Sequence, residues 1–185
     1  MTIAIIVVAI IVIAIIFTIF MYNSLVRSRN RIDNAYSQID VQLKRRYDLI
    51  PNLVETVRGY ATHERATLEA VTAARRQAVA STGSPEQQAA AENALVGSLR
   101  SLFAVSEAYP ELKADAAFGD LQHQLTATED RIQAARRFYN NNVRDYNARV
   151  QSVPSNLIAR LGGFAARQYF QIDTAVEQSA PQVDL

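Results

Sequence analysis

The stretch LVRSRNRIDNAYSQIDVQLKRRYDLIPNLVETVRGY, residues 25–60, decides the fold. Apolar residues recur in it at every seventh position. One row runs Leu25, Ile32, Ile39, Arg46, Leu53, Tyr60. A second runs Arg29, Tyr36, Leu43, Ile50, Val57 and goes on to Glu64 and Val71. Rows offset by three and four lie on one face of a helix, which is the seam of a coiled coil or helical bundle. Arg29, Arg46 and Glu64 are charged, so the seam is imperfect. The beat carries through Pro51, which lies beside the seam, and predicts a kinked helix over 24–80 rather than a fresh start. Ser81-Thr82-Gly83-Ser84-Pro85 ends it.

Upstream, Ile3 to Met21 is a run of 19 residues in which only Thr18 is polar. As a helix it would be about 28 Å long, the hydrocarbon thickness of a bilayer. Its Ile and Val content favours strand in water, but lipid requires a backbone that satisfies its own hydrogen bonds, so helix prevails. No Lys or Arg precedes the run and no small residues close it, which argues against a cleaved signal peptide. Tyr22 stands where an interfacial aromatic belongs. Arg27, Arg29 and Arg31 follow and read as the membrane interface, snorkelling to headgroups. With Lys44, Arg45 and Arg46 they outweigh Asp33 and Asp40. The positive-inside rule then puts the N-terminus outside and the rest in the cytoplasm.

Downstream, Ser84-Pro85-Glu86-Gln87 reads as a helix start: Ser84 caps, Pro85 takes the first position, and Gln87 completes a capping box. A second helix is expected over 85–108, ending before Tyr109-Pro110. A third is expected over 113–152, with rows through Phe118, Leu125, Ile132, Tyr139, Tyr146 and through Leu121, Thr128, Ala135, Asn142. Pro154 stops it. A short helix follows over 155–161, closed by Gly162-Gly163. Phe164, Tyr169, Phe170 and Ile172 are expected to clamp back onto the bundle, and 177–185 to fray. The chain thus reads as all-α, with an N-terminal transmembrane helix (1–22) continuing into a long-helix antiparallel bundle (23–176) with coiled-coil-like heptads.

A helix over 24–80 would be about 85 Å long, and one over 85–108 only about 36 Å. The second helix, folded back, falls short of the membrane end of the first. The stripe Leu25, Ile32, Tyr36, Ile39, Leu43 is then left without a partner in its own chain. An unpartnered apolar stripe on a stalk is a contact surface, here for self-association into a membrane-seated homo-oligomer. Asn34, Gln38, Asn52 and Asn142 are candidate buried amides, Asn142 on a row where it would fix register. Tyr60, Tyr139 and Tyr146 are expected in the core.

Composition narrows the function. The 185 residues carry 19 Lys+Arg and 18 Asp+Glu, a net charge of +1 that argues against nucleic-acid binding by bulk charge. There is no Cys, so thiol nucleophiles and Cys-ligated zinc are excluded. His63-Glu64 opens like a zincin motif, but Thr67 stands where the second His belongs. Neither His63 nor His123 follows a Glu at the spacing of a ferritin-like site. Glu129-Asp130 reads as a solvated helix face. No catalytic residue, cofactor or metal is expected. The expected partners are the bilayer, a second copy of the chain, and another membrane protein such as a protease or sensor.

The residues also resemble a known family. Tyr22–Val26, Arg29-Asn30 and Asn34–Arg46, then Asp48-Leu49-Ile50-Pro51-Asn52-Leu53-Val54-Glu55-Thr56-Val57, Gly59-Tyr60-Ala61 and His63-Glu64, closely resemble the LemA family. The likeness continues through Thr72–Arg75, Arg137–Asn140, Val153–Ala159 and Phe170, and so covers nearly the whole chain. Family members usually carry Trp where Tyr36 stands and often Phe where Val153 stands. The resemblance implies a bacterial inner-membrane protein with an N-terminal single-pass anchor and an antiparallel helical bundle, without an established enzyme activity. A member in magnetosome-forming bacteria is linked to building the magnetosome membrane. By analogy it implies a non-enzymatic scaffold that shapes or organises membrane, or alternatively an adaptor that binds another membrane protein through the bundle face.

Overall fold

The computed structural model describes residues 1–171. The expected fraying at 177–185 and the clamp residue Ile172 lie outside them. Every regular element among the described residues is helical: α1 (Thr2–Tyr60), α2 (Arg65–Ala80), α3 (Pro85–Ser106), α4 (Pro110–Lys113), α5 (Ala116–Gln151) and α6 (Ser155–Leu161). The chain divides into two compact units. One comprises Met1–Val41 and Ile132–Tyr169, the other Gln42–Arg131 together with Phe170. Helices α1 and α5 contribute to both.

The first helix begins at the apolar run and passes unbroken through Pro51. A proline inside a helix has no N–H and frees the carbonyl four residues back, here that of Tyr47. Arg75 on α2 supplies the missing donor: its Nε lies 2.7 Å from the Tyr47 carbonyl oxygen. The break falls instead at residues 61–64, so the single helix expected over 24–80 is two. The seven-residue beat had concealed it, because Val57, Val71 and Ala78 are all buried on both sides of the break. Tyr60, expected in the core, is exposed there and donates from its hydroxyl to Asp115 Oδ2 at 2.8 Å.

Helix α3 starts as the sequence predicts. Ser84 Oγ accepts from the Gln87 backbone N–H, the Gln87 side chain accepts from the Ser84 N–H, and Pro85 holds the first turn. It packs along α2. The helix ends at Ser106 rather than 108, and the four-residue α4, not anticipated, follows at Pro110. Asp115 caps α5 by accepting from the Phe118 N–H at 2.9 Å. That bond, with the Tyr60 hydroxyl, holds the Asp115 carboxyl below its ordinary range. The core of this second unit joins Ile50, Leu53 and Val57 of α1 to Val71 of α2, Leu95 and Leu102 of α3, Leu112 of α4 and Phe118 of α5.

In the first unit α1 buries Leu25, Ile32, Ala35 and Ile39, and α5 buries Ile132, Tyr139, Val143 and Tyr146. Arg149 of α5 donates to Ser24 and Ser28 of α1, each at 3.0 Å, and the rings of Tyr139 and Tyr36 meet at 5.7 Å. Partner numbers therefore fall on α5 as they rise on α1. The stripe Leu25, Ile32, Tyr36, Ile39, Leu43 is thus not left open: four of the five are fully buried within the chain and Tyr36 is half-buried. This overturns the length argument for a self-association stalk. It took the third helix to run away from the membrane end, whereas the 36-residue α5, about 54 Å long, brings Arg149 to the first turns beyond the apolar run. The stripe is therefore covered from within the chain rather than left without a partner there.

Replacing Arg75 by Met removes the donor on the Tyr47 carbonyl and is expected to cost about 1–2 kcal/mol in urea unfolding. Arg76→Met, one residue on and exposed, is the control and should fall within about 0.5 kcal/mol of the parent. Equal effects of the two would contradict the cap.

Candidate functional site

Two places concentrate polar and aromatic chemistry. The first is the end of the apolar run, in the first unit. Residues Ile3–Met21 are exposed along nearly their whole length, and α1 is long and apolar enough there to cross a membrane. Tyr22 follows and meets Phe164 edge-on, ring centroids 5.3 Å apart. Arg29 also lies over Phe164, its guanidinium 5.3 Å from the ring centroid. Arg27 reaches back over Phe20 at 5.9 Å, and Arg31 is exposed. The four expected interface residues Tyr22, Arg27, Arg29 and Arg31 thus lie within the first turns past the run.

Phe164 reaches Tyr22 through the chain reversal after α6. Its N–H bonds the Ala159 carbonyl at 2.9 Å, and Gly163, at φ 68°, takes the left-handed conformation that lets the helix end this way. Farther along, Asn147 brackets the backbone of Arg167, donating to its carbonyl and accepting from its N–H. The Arg167 side chain reaches Asp33 at 3.1 Å, and the Tyr139 hydroxyl donates to the Gln168 carbonyl at 2.9 Å. Burial pushes the Tyr36 hydroxyl up to about 12, with Asp40 and Tyr139 adding to it, and burial also raises Tyr139 and Tyr146. These phenols are donors at neutral pH. Of the clamp residues, Phe164 and Phe170 are buried and Tyr169 is exposed.

The second place is a buried ion cluster in the second unit. Arg46, the charged member of the first heptad row, is fully buried. One of its terminal nitrogens donates to Glu92 of α3, the other to Glu129 Oε2 of α5 at 2.7 Å. The Tyr47 hydroxyl takes the remaining oxygen of Glu92, itself fully buried. Both oxygens of Glu92 are therefore directed at donors of α1 rather than into open space, an arrangement suited to fixing register between helices. Beside it lies a groove of about 300 Å³ lined by Val96, Leu99, Phe103 and Leu125, with Arg100 and Asp130 at its polar side.

The sequence marks Arg46 as a charged member of the seam, and nothing in it names Glu92, which reads as an ordinary helix glutamate. Glu129 is not the solvated residue expected. Asn34, Gln38 and Asn52 are exposed rather than buried, and Asn142 donates to the Phe138 carbonyl of its own helix. Asn147, which does bridge two segments, was missed because it lies off the heptad rows. Among the described residues no group of three or more His, Cys, Asp and Glu side chains is placed to hold a metal ion.

Arg46→Met leaves Glu92 buried without its cation and should cost about 3–5 kcal/mol in chemical denaturation. Adding Glu92→Leu should recover much of that loss, because an apolar pair removes the stranded charge. Additive losses would contradict the coupling.

A sequence model of the LemA family matches residues 35–185. Protein LemA of Metamycoplasma hominis is 28% identical over 141 residues, 75% of this chain and 63% of that protein. Magnetosome protein MamQ 2 of Paramagnetospirillum magneticum is 28% identical over 175 residues, 81% of this chain and 64% of its own. Magnetosome protein MamQ of Magnetospirillum gryphiswaldense is 26% identical over 174 residues, with 80% and 64% covered. The chain spans just under two thirds of the length of these curated relatives. With most of its length inside the matched segment, the chain belongs to the LemA family.

Proposed function

We propose that the chain is a non-enzymatic, single-pass scaffold that organises or shapes the bacterial inner membrane, with its N-terminus outside and its helical body in the cytoplasm. The observation that carries this reading is α1 itself. One helix presents an apolar surface at Ile3–Met21, and then, without a break, a seam against α5. A protein built this way holds a body at a set place on a bilayer. Relatives named magnetosome proteins support a task tied to a membrane. The polar clusters support a structural role, since Arg46, Glu92 and Tyr47 are engaged with one another. In this reading the helices form an antiparallel bundle packed by heptads, and the excess of Arg and Lys after the span sets the orientation.

Self-association, in this reading, runs through the span. Ala14 and Thr18 lie four apart on one face, and the Thr18 hydroxyl is turned back onto the Ala14 carbonyl at 2.8 Å. With Ile11, Ile15 and Ile19 they line a shallow groove of about 310 Å³. Small residues at this spacing let two helices approach closely in lipid. The second reading is an adaptor that binds another membrane protein, favoured by the groove at Val96, Leu99, Phe103 and Leu125.

The chain has no Cys, so single cysteines are clean probes. Oxidation of membranes containing Thr18→Cys is expected to give a cross-linked dimer, whereas Ile16→Cys, on the opposite face of the span, gives little. Equal cross-linking at both would mean random collision, and none at either would remove self-association through the span and leave the adaptor reading.

A further inference from the structure

Helix α6 is turned inside out for a helix in water. The side chains it buries are the small Ser155 and Ala159. Those it presents outward are Leu157, 59% exposed, and Leu161, 91% exposed, with Val153 just before the helix 79% exposed. Residues four apart share a face, so Leu157 and Leu161 form one apolar edge. Large aliphatic side chains gathered this way on a short tip mark a contact surface.

The structure also fixes where this tip lies. Gly162, next to Leu161, packs so closely against Tyr22 that a Cβ added there would come within 3.1 Å of the Tyr22 ring. Phe164 meets the same ring. Tyr22 directly follows Met21, the last residue of the apolar run. Leu161 therefore stands at the level where the run ends. Arg160, exposed beside Leu161, and Arg29, over the Phe164 ring that meets Tyr22, supply cations for headgroup phosphates here.

We propose that Val153 and α6 form a second membrane contact, seating Leu157 and Leu161 at the boundary of headgroups and acyl chains in the bilayer that α1 crosses. The inference rests on the reading of Ile3–Met21 as a span. It explains why the outward face of α6 is aliphatic, and it gives the body two attachments to the bilayer instead of one. A helix hung from a single span can swivel and tilt; a second contact beside the span restrains both.

The chain contains no Trp, so one introduced Trp reports on one place. The full chain is reconstituted in phosphatidylcholine–phosphatidylglycerol vesicles carrying lipids brominated either near the headgroup end or deep in the acyl chain. Leu161→Trp alters a side chain that touches almost nothing in the chain. Its emission should shift to the blue in vesicles and be quenched by the shallow bromines more than by the deep ones. Ile13→Trp, in the middle of the run and on the face away from the Ala14–Thr18 groove, should be quenched by the deep bromines. Phe138→Trp is the reference outside the bilayer. It is exposed and adjoins Tyr139, whose ring meets Tyr36, about 21 Å farther along α1 than Tyr22. It should not be quenched.

An unquenched Leu161→Trp beside a quenched Ile13→Trp would overturn the contact and leave the span standing. An unquenched Ile13→Trp would overturn the span reading itself. Quenching of Phe138→Trp as strong as that of Leu161→Trp would mean that the body lies on the lipid at large, which contradicts a tip-specific contact. A blue shift of Leu161→Trp in detergent that grows with protein concentration, without quenching in vesicles, would assign the edge to a second copy instead.

Discussion

A helix that crosses a bilayer must satisfy every backbone group from its own ladder, and the unbroken helix over the proposed span at the start of α1 suits that constraint. The same helix continues past Met21 into a segment that buries one face against the rest of the chain. Its side chains change accordingly, from apolar on all sides at Ile3–Met21 to apolar on one face from Leu25 on. The helix runs unbroken across the change. Even at Pro51, which withdraws a donor, Arg75 reaches in from α2 to replace it. The seam residues Leu25, Ile32 and Ile39 inherit their direction from the helix that precedes them.

The two polar clusters serve this construction differently. Around Tyr22 the Phe164 ring is buried, but Tyr22, Arg27 and Arg29 stay exposed, and the two arginines lie over the rings of Phe20 and Phe164 with their charge near solvent. Around Arg46 the guanidinium and the Glu92 carboxylate are withdrawn from water and paired with each other across two helices, with the partly exposed Glu129 as a second partner. Ion pairs of this second kind add little net stability but penalise misregistered packing heavily, since a slip strands a charge in the core. An apolar seam alone tolerates a slip of seven residues; the Arg46–Glu92 pair does not.

Much of this was legible in the sequence because its causes are local. The apolar run, the heptad rows, the capping box at Ser84 and the glycines after α6 each declare themselves within a few residues. The break at residues 61–64 was hidden because the beat survives it, with Val57 and Val71 buried on either side. The partners of Arg46 and Tyr47 were hidden because they lie far along the chain, in residue types that ordinarily face water. The covering of the stripe at Leu25–Leu43 depended on which way α5 runs, and helix lengths alone do not say that. Asn142 and Asn147 show the same limit: position on a row suggested the first, while a loop that folds back onto α5 uses the second.

In the proposed reading the protein is anchored by α1 and its helical body lies on the cytoplasmic face of the membrane. A single cysteine at Thr82, exposed in the loop between α2 and α3, tests it most directly. Cells whose outer membrane, where present, has been permeabilised are treated with a membrane-impermeant maleimide before and after the inner membrane is lysed. The expected result is a membrane-bound chain that is labelled only after lysis. Labelling before lysis would place the body outside and contradict the orientation read from Arg27, Arg29 and Arg31; recovery of the labelled chain in the soluble fraction would contradict the anchor.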